Sequence, residues 1–323
     1  MVLRSAAMNG QSKRVAAVGE CMIELTETGP GTMRRRYGGD TLNTAVYMAR
    51  LGAGLGIAVD YVTALGDDPL SDEMLACWQA EGVGTERVAR LPGRLPGLYL
   101  IKTDSSGERS FWYWRSASAA RDLTAPPHGD AALGSLARDD LVYVSGITLS
   151  ILDDPGRERL LAAVAAARAE GARIAADTNW RPRNWPDIEA GRHWTARLFA
   201  HADIALPSAE DDVALFGDAT PEGTVARLTG LGIAEVVVKN GADGCILAHD
   251  GYSERIPATP VELPVDTTAA GDSFNAAYLM ARLAGLDPAT AALSGHRLAT
   301  AVIGHAGAII PRDAMPHFDW SPQ

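Results

Sequence analysis

Apolar runs of strand type alternate with helical patterns along most of this chain. That alternation restricts it to an α/β fold with a mostly parallel sheet flanked by helices. Val15 to Val18 reads as a first strand. In Thr41 to Leu51, Leu42, Ala45, Val46 and Ala49 recur at helical spacing and mark one apolar face. Tyr61 to Leu65 follows as a second buried strand, and Leu70 to Glu81 as a helix entered through Pro69. Leu141 to Ser145, Arg173 to Asp177, Ile204 to Leu206 and Glu235 to Lys239 continue the strand series. The Ala- and Leu-rich helix Arg157 to Glu170 ends at Gly171, as a C-cap requires. Two segments break the rhythm. Leu98 to Asp104 and Glu108 to Arg115 alternate faces around Ser105-Ser106-Gly107 and read as a β-hairpin, and Met22 to Tyr37 offers a further strand. The expectation is one α/β domain over residues 1–323, with a small β-sheet appendage inserted at about 22–38 and 95–116.

Charge narrows the function. Forty Asp and Glu against 29 Lys and Arg give a net charge of −11, the wrong sign for a general nucleic-acid binder or an anionic membrane surface. An anionic small substrate then needs a local positive field. Cys21, Cys77 and Cys245 form no C-x-x-C pair and read as small buried hydrophobes in a reducing cytosol. No signal-peptide run precedes Gln11, and the longest apolar stretch, Leu160 to Ala167, is less than half of the roughly 20 residues a membrane span needs. A cytoplasmic location is expected. The first dozen residues and the stretch around Pro126 are the expected flexible pieces. Gly52-Ala53-Gly54-Leu55-Gly56 follows a helix instead of a strand, so it is no dinucleotide fingerprint. Gly-Lys never occurs, which removes a Walker A loop, and the seven histidines form no H-E-x-x-H. Arg34-Arg35-Arg36 reads as a solvated strand edge.

The most informative segment runs from Asp266 through Thr267, Thr268, Ala269, Ala270 and Gly271 to Asp272 and Asn275. Its small residues lead into a helix, Asp272 to Ala284, with Phe274, Ala277, Tyr278 and Ala281 on one face. Small side chains at a helix start leave backbone N–H groups open to an anion, and the macrodipole adds positive charge there. An Asp at that place can take a proton from a hydroxyl beside a bound phosphate. An ordinary N-cap behind a Gly-rich turn is the plainer reading of Asp272 taken alone. Arg115 sits after the aromatic run Phe111-Trp112-Tyr113-Trp114, and Arg181 follows a strand end, where α/β sheets place ligands. A guanidinium pairs bidentately with a carboxylate; cation–π packing for Arg115 and a surface ion pair for Arg181 are the plainer alternatives.

The segment Asp266 to Asp272 resembles the D-T-x-G-A-G-D signature of the ribokinase-like (PfkB-type) carbohydrate kinases, departing from it at Ala269, where the family usually has Gly. Gly38-Gly39-Asp40-Thr41-Leu42-Asn43 resembles the family's G-G-x-x-x-N segment. Further stretches are similar to its 2-keto-3-deoxygluconate kinase branch: Gly19 to Leu25, Leu95 to Tyr99, Gly107 to Arg115, Asp177 to Arg183 and Gly307 to Arg312. The resemblance spans about Val15 to Met315. It implies a ribokinase-like core with a β-sheet lid, and ATP-dependent phosphorylation of a sugar acid with Mg2+. Asp272 would be the general base, with the N–H groups of Ala270, Gly271 and Asp272 holding the developing charge beside Ala269. Gly38, Gly39, Asp40 and Asn43 would meet the polyol, and Tyr99, Tyr113, Arg115 and Arg181 the sugar acid. Asn179, Ser208, Lys239, Gly241, Gly244, Ala269, Gly271 and Asn275 would lie along the nucleotide. Ser208-Ala209-Glu210-Asp211 stands where the family has N-x-x-E, which gives Asp211 an indirect magnesium role. Asp266 stands where relatives bind a monovalent cation such as K+. Fructose or a related keto acid as substrate, and a non-catalytic sugar-acid sensor, are the alternatives. A homo-oligomer formed through the lid is expected.

Overall fold

The computed structural model describes residues 12–103 and 109–320. The first eleven residues and the turn at Ser105-Ser106-Gly107 lie outside the described residues. The strands are β1 (Arg14–Val18), β2 (Met22–Gly29), β3 (Thr32–Gly38), β4 (Ala58–Leu65), β5 (Val88–Arg90), β6 (Leu98–Thr103), β7 (Arg109–Trp114), β8 (Leu141–Ser145), β9 (Arg173–Asp177), β10 (Ile204–Ala205), β11 (Glu235–Lys239), β12 (Cys245–His249) and β13 (Tyr252–Ile256). The α-helices are α1 (Asp40–Gly52), α2 (Pro69–Ala80), α3 (His128–Ser135), α4 (Gly146–Ile151), α5 (Asp154–Ala169), α6 (Ile188–Phe199), α7 (Ala209–Phe216), α8 (Pro221–Gly230), α9 (Ala270–Ala284) and α10 (Pro288–Ile303).

Nine strands form one sheet in the order β13-β12-β11-β10-β9-β8-β1-β4-β5. From β11 to β5 every pairing is parallel, so the carboxyl ends of those strands share one edge. β12 and β13 close the sheet antiparallel, in register Val237↔Leu247 and Leu247↔Glu254. Buried on both faces, β1, β8 and β9 read as continuous apolar runs, as strands between helical layers must. One apolar layer joins Val15, Tyr61 and Tyr143 to helices α1, α9 and α10; the other joins Val18, Val142 and Ile174 to α5 and α6. Helix starts follow local chemistry: Asp68 accepts from Leu70 and Ser71 N–H ahead of α2, and Asp153 from Gly156 N–H at α5. Gly171 holds φ 105° just past α5, a conformation that favours glycine.

A second sheet, β3-β2-β6-β7, stands apart. Met22 to Tyr37 supplies two strands where one was expected, because Gly29-Pro30-Gly31 makes a turn. Glu24, Arg36, Tyr99 and Tyr113 line up in register across one face. On the opposite face Ile23, Leu25, Tyr37 and Leu98 rest on the main core, while Trp112 and Trp114 stay exposed. Two other expectations are corrected. Cys77 is exposed on α2, since its position falls on the solvent side of that helix. The stretch before Pro126 is tied down, because Arg159 Nε donates to Thr124 O at 2.8 Å and Leu123 is buried.

Candidate active site

The anion cradle forms at the start of α9. Ala269 caps the helix at φ 60° and ψ 17°, a left-handed conformation unusual for a residue with a Cβ. Asp272 is therefore not an N-cap; it is the third helical residue, on the first turn. The N–H of Ala270 turns back to Thr267 O at 3.2 Å, which draws it away from the expected anion. Gly271 and Asp272 are left as the donors of the helix start. The approach is braced by Asp266, whose carboxylate accepts from Thr268 N (3.0 Å), Thr268 Oγ1 (2.7 Å) and Gly307 N (2.9 Å). Asp266, expected to hold a monovalent cation, thus fastens the cradle to the segment after α10.

Four polar side chains stand at strand ends, and two of them, Asp177 and Lys239, reach this helix through Asn275. Glu20 follows β1, Ser145 ends β8, Asp177 ends β9 and Lys239 ends β11, all at the carboxyl edge where open α/β sheets bind ligands. Lys239 Nζ donates to Asp177 Oδ2 (2.7 Å) and Asn275 Oδ1 (2.9 Å). It lies 3.5 Å from where a Cβ on Gly271 would stand, so its charge sits directly under the cradle. Asn275 was expected along the nucleotide. It is instead fully buried, its amide donating to Asp177 Oδ2 (2.6 Å) and Tyr143 Oη (3.1 Å). Asn179, at φ 38°, donates from its side chain to Asp40 Oδ2 (2.9 Å) and from its backbone to Asp177 Oδ1 (3.2 Å). Ser145 Oγ also donates to Asp40.

Asp272 Oδ2 accepts from Asn43 Nδ2 at 2.8 Å. Burial, reinforced by the neighbouring Asp40 and Asp177 charges against the pull of Asn43 and Lys239, pushes the Asp272 carboxyl up to about 7. Burial raises Asp40 as well. A carboxyl near neutrality, held by an amide donor beside free helix N–H groups, is suited to accept a proton.

On the sugar side, the paired glycines have a different cause from the expected approach to a polyol. A Cβ on Gly39 would stand 2.2 Å from Glu20 O, and one on Gly38 2.5 Å from Tyr99 Oη. Their absence lets β3 and α1 close on β1 and β6. Tyr99 donates to Glu24 Oε2 at 2.5 Å and stacks on Tyr113, ring centroids 5.8 Å apart. Arg115 neither stacks on the hairpin nor stands free; it pairs with Glu20, whose side chain is 1% exposed. Arg181 donates to Trp180 O (2.7 Å) and lies 3.7 Å from Asp211 Oδ1. Arg115, Arg181 and Lys239, expected along the sugar acid and the nucleotide, are therefore not free cations. Each of the three faces a carboxylate, and Asp40 and Asp272 add two more. Glu20, Ser145 and Asp177 escaped sequence reasoning, although their places at strand ends were the available signal.

The nucleotide side is more open. Gly241 and Gly244 bracket a 3-10 turn between β11 and β12 at φ 55° and 90°, and a Cβ on Gly244 would stand 2.1 Å from Ile256 O. Ser208 caps α7 through Asp211 N at 3.4 Å. Burial raises the Asp211 carboxyl, with Arg181 opposing. Among the described residues no cluster of three or more His, Cys, Asp and Glu is arranged as a metal cage. No described helix is long and apolar enough to cross a membrane.

Residues 12–315 match the model of the pfkB family carbohydrate kinase. A 2-dehydro-3-deoxygluconokinase of Dickeya dadantii (strain 3937) is 46% identical over 308 residues, 94% of this chain and 99% of that one. A 2-dehydro-3-deoxygluconokinase of Haemophilus influenzae is 41% identical, over 94% of this chain and 98% of its own. The crystal structure of a fructokinase with bound ATP from Xylella fastidiosa superposes with a TM-score of 0.78 at 25% identity, covering 95% of this chain and 96% of that one.

Proposed function

The chain belongs to the pfkB family of carbohydrate kinases, and from that premise we propose that it transfers the γ-phosphoryl group of ATP to the 6-hydroxyl of 2-keto-3-deoxygluconate. The product is 2-keto-3-deoxy-6-phosphogluconate. The observation that carries the chemistry is the Asp272 carboxyl, raised to about 7 and aligned by Asn43 at the start of α9. The 6-hydroxyl oxygen attacks the γ-phosphorus as the bond to the β,γ-bridging oxygen breaks. ADP leaves, and the hydroxyl proton passes to Asp272. The N–H groups of Gly271 and Asp272 meet the developing negative charge, with Lys239 beneath them. Phosphoryl transfer depends mainly on positioning and electrostatics, so the fixed partners of Asp177, Asn179 and Asn275 matter as a rigid floor.

Magnesium fits this donor set. Mg2+ keeps several waters and binds substrate phosphates with one or two carboxylates, not a dedicated cage. In a site where three cationic side chains face five carboxylates, it supplies the positive charge that two anionic substrates require. Asp211 would reach it through water. For potassium, Asp266 already holds the N–H groups of Thr268 and Gly307, and no step runs through that ion.

Glu24, Tyr99 and Tyr113 present the small sheet's polar face as a lid over the sugar acid. Trp112 and Trp114, 45% and 59% exposed, lie on the face turned away from those tyrosines and are assigned to a second copy of the chain. The need for ATP supports a cytoplasmic location. Asp272→Asn tests the chemistry: it is expected to bind ATP and the keto acid with near-native affinity while kcat falls by roughly 10²–10⁴, the contribution typical of a general base. Turnover within tenfold of the unmodified chain would overturn the role of Asp272.

A further inference from the structure

A second cleft, of about 560 Å³, is lined by Arg36, Arg50, Glu81, His305, Ile310 and Arg312 among others. Its charge runs against that of the whole chain. Arg50 holds Glu81 with two bonds, at 2.8 and 3.0 Å, and Arg312 holds the same carboxylate at 2.9 Å, so two guanidiniums share one acid. Arg36, on β3, has no ion pair or hydrogen bond among the described residues and lies against Gly307. Glu24 stands opposite Arg36 in register, but its oxygens accept from Tyr99 Oη and Thr26 Oγ1. His305 Nδ1 donates to Ala301 O at 2.9 Å, because a carbonyl can only accept.

The cleft adjoins the sugar site on one side, since Arg36 shares the small sheet's polar face with Glu24 and Tyr99 and lies against Gly307, and it extends away from that site along α1. Asn43, which holds Asp272, and Arg50 are seven residues apart on α1, about 10 Å along the axis. Tyr47 stands between them and closes the wall, its hydroxyl donating to Ala308 O (2.7 Å) and accepting from Ile310 N (3.1 Å). We propose that this cleft is a binding site for a small organic phosphomonoester, held by Arg36 of the small sheet together with Arg312 of the main body. Guanidiniums in excess over carboxylates select a dianion, and the volume, within the roughly 300–1,000 Å³ of small-ligand sites, exceeds what inorganic phosphate fills.

Titration calorimetry tests this without reference to the sugar that is phosphorylated. The probe is glucose 6-phosphate, added to the full chain already saturated with Mg2+ and a non-hydrolysable ATP analogue. Binding is expected for glucose 6-phosphate, none for glucose, and weaker binding for inorganic phosphate. Arg36→Gln breaks no hydrogen bond or ion pair among the described residues and should weaken the probe about tenfold, the loss of one charge-assisted contact. Arg312→Gln should weaken it comparably, with circular dichroism verifying its fold. No heat from glucose 6-phosphate would overturn the proposal, as would equal binding of glucose or of inorganic phosphate. Affinity within twofold of the unmodified chain in Arg36→Gln would do the same.

Discussion

At the scale of single residues, the decisive quantity is the proton affinity of Asp272. Its carboxyl is raised because burial and two neighbouring carboxylates disfavour the charged form more than Asn43 and Lys239 favour it. A base must be unprotonated to act, so kcat/KM for the keto acid should climb from pH 6 to pH 8 with a limb near 7. A flat profile over that interval, with Mg2+ and ATP saturating, would contradict the assignment. Ala269 is the other informative residue. An L-residue in the left-handed region costs about 1–2 kcal/mol, partly offset in glycine by a looser unfolded chain. Ala269→Gly is therefore expected to stabilise the fold by roughly 0.5–1 kcal/mol, seen as a higher urea midpoint at unchanged slope. A lower midpoint would show that the Ala269 methyl packs favourably there.

At the scale of elements, what could be read in advance divides along physical lines. Buried parallel strands such as Val15 to Val18 and Leu141 to Ser145 announced themselves as apolar runs, and α1 and α2 by periodicity and by Pro69. The small sheet was half visible, because the turn at Gly29-Pro30-Gly31 sits inside a polar stretch with no apolar period. The cradle was legible since one contiguous segment makes it. The counter-ions were not. Glu20 meets Arg115, and Asp177 meets Lys239, across separations of 95 and 62 residues that only the fold closes. That is why the sequence suggested free cations where the site has paired ones. The Glu20–Arg115 pair ties the end of β1 to the end of β7, with side chains 1% and 13% exposed. Glu20→Ala should destabilise the chain by about 3–5 kcal/mol, because it strands a buried guanidinium, whereas Glu20→Leu combined with Arg115→Met should cost much less. Equal losses in the single and double variants, by urea unfolding, would show that the pair does not act as a unit.

At the scale of the molecule, an acidic chain handles two anionic substrates by pairing its cations and leaving the excess positive charge to the metal that accompanies ATP. In the proposed reaction the parallel edge would supply the rigid floor, α9 the anion cradle and Asp272 the base. In that reaction the face with Tyr99 and Tyr113 would supply the selectivity for a sugar acid. The acceptor is a six-carbon keto acid, not a neutral sugar. ADP release measured with ATP and Mg2+ across 2-keto-3-deoxygluconate, fructose and ribose tests it most directly. The expected outcome is a kcat/KM for the keto acid at least about a hundredfold above either sugar, the discrimination a lost buried charge-assisted contact can provide. Turnover of fructose equal to or above that of the keto acid would contradict it.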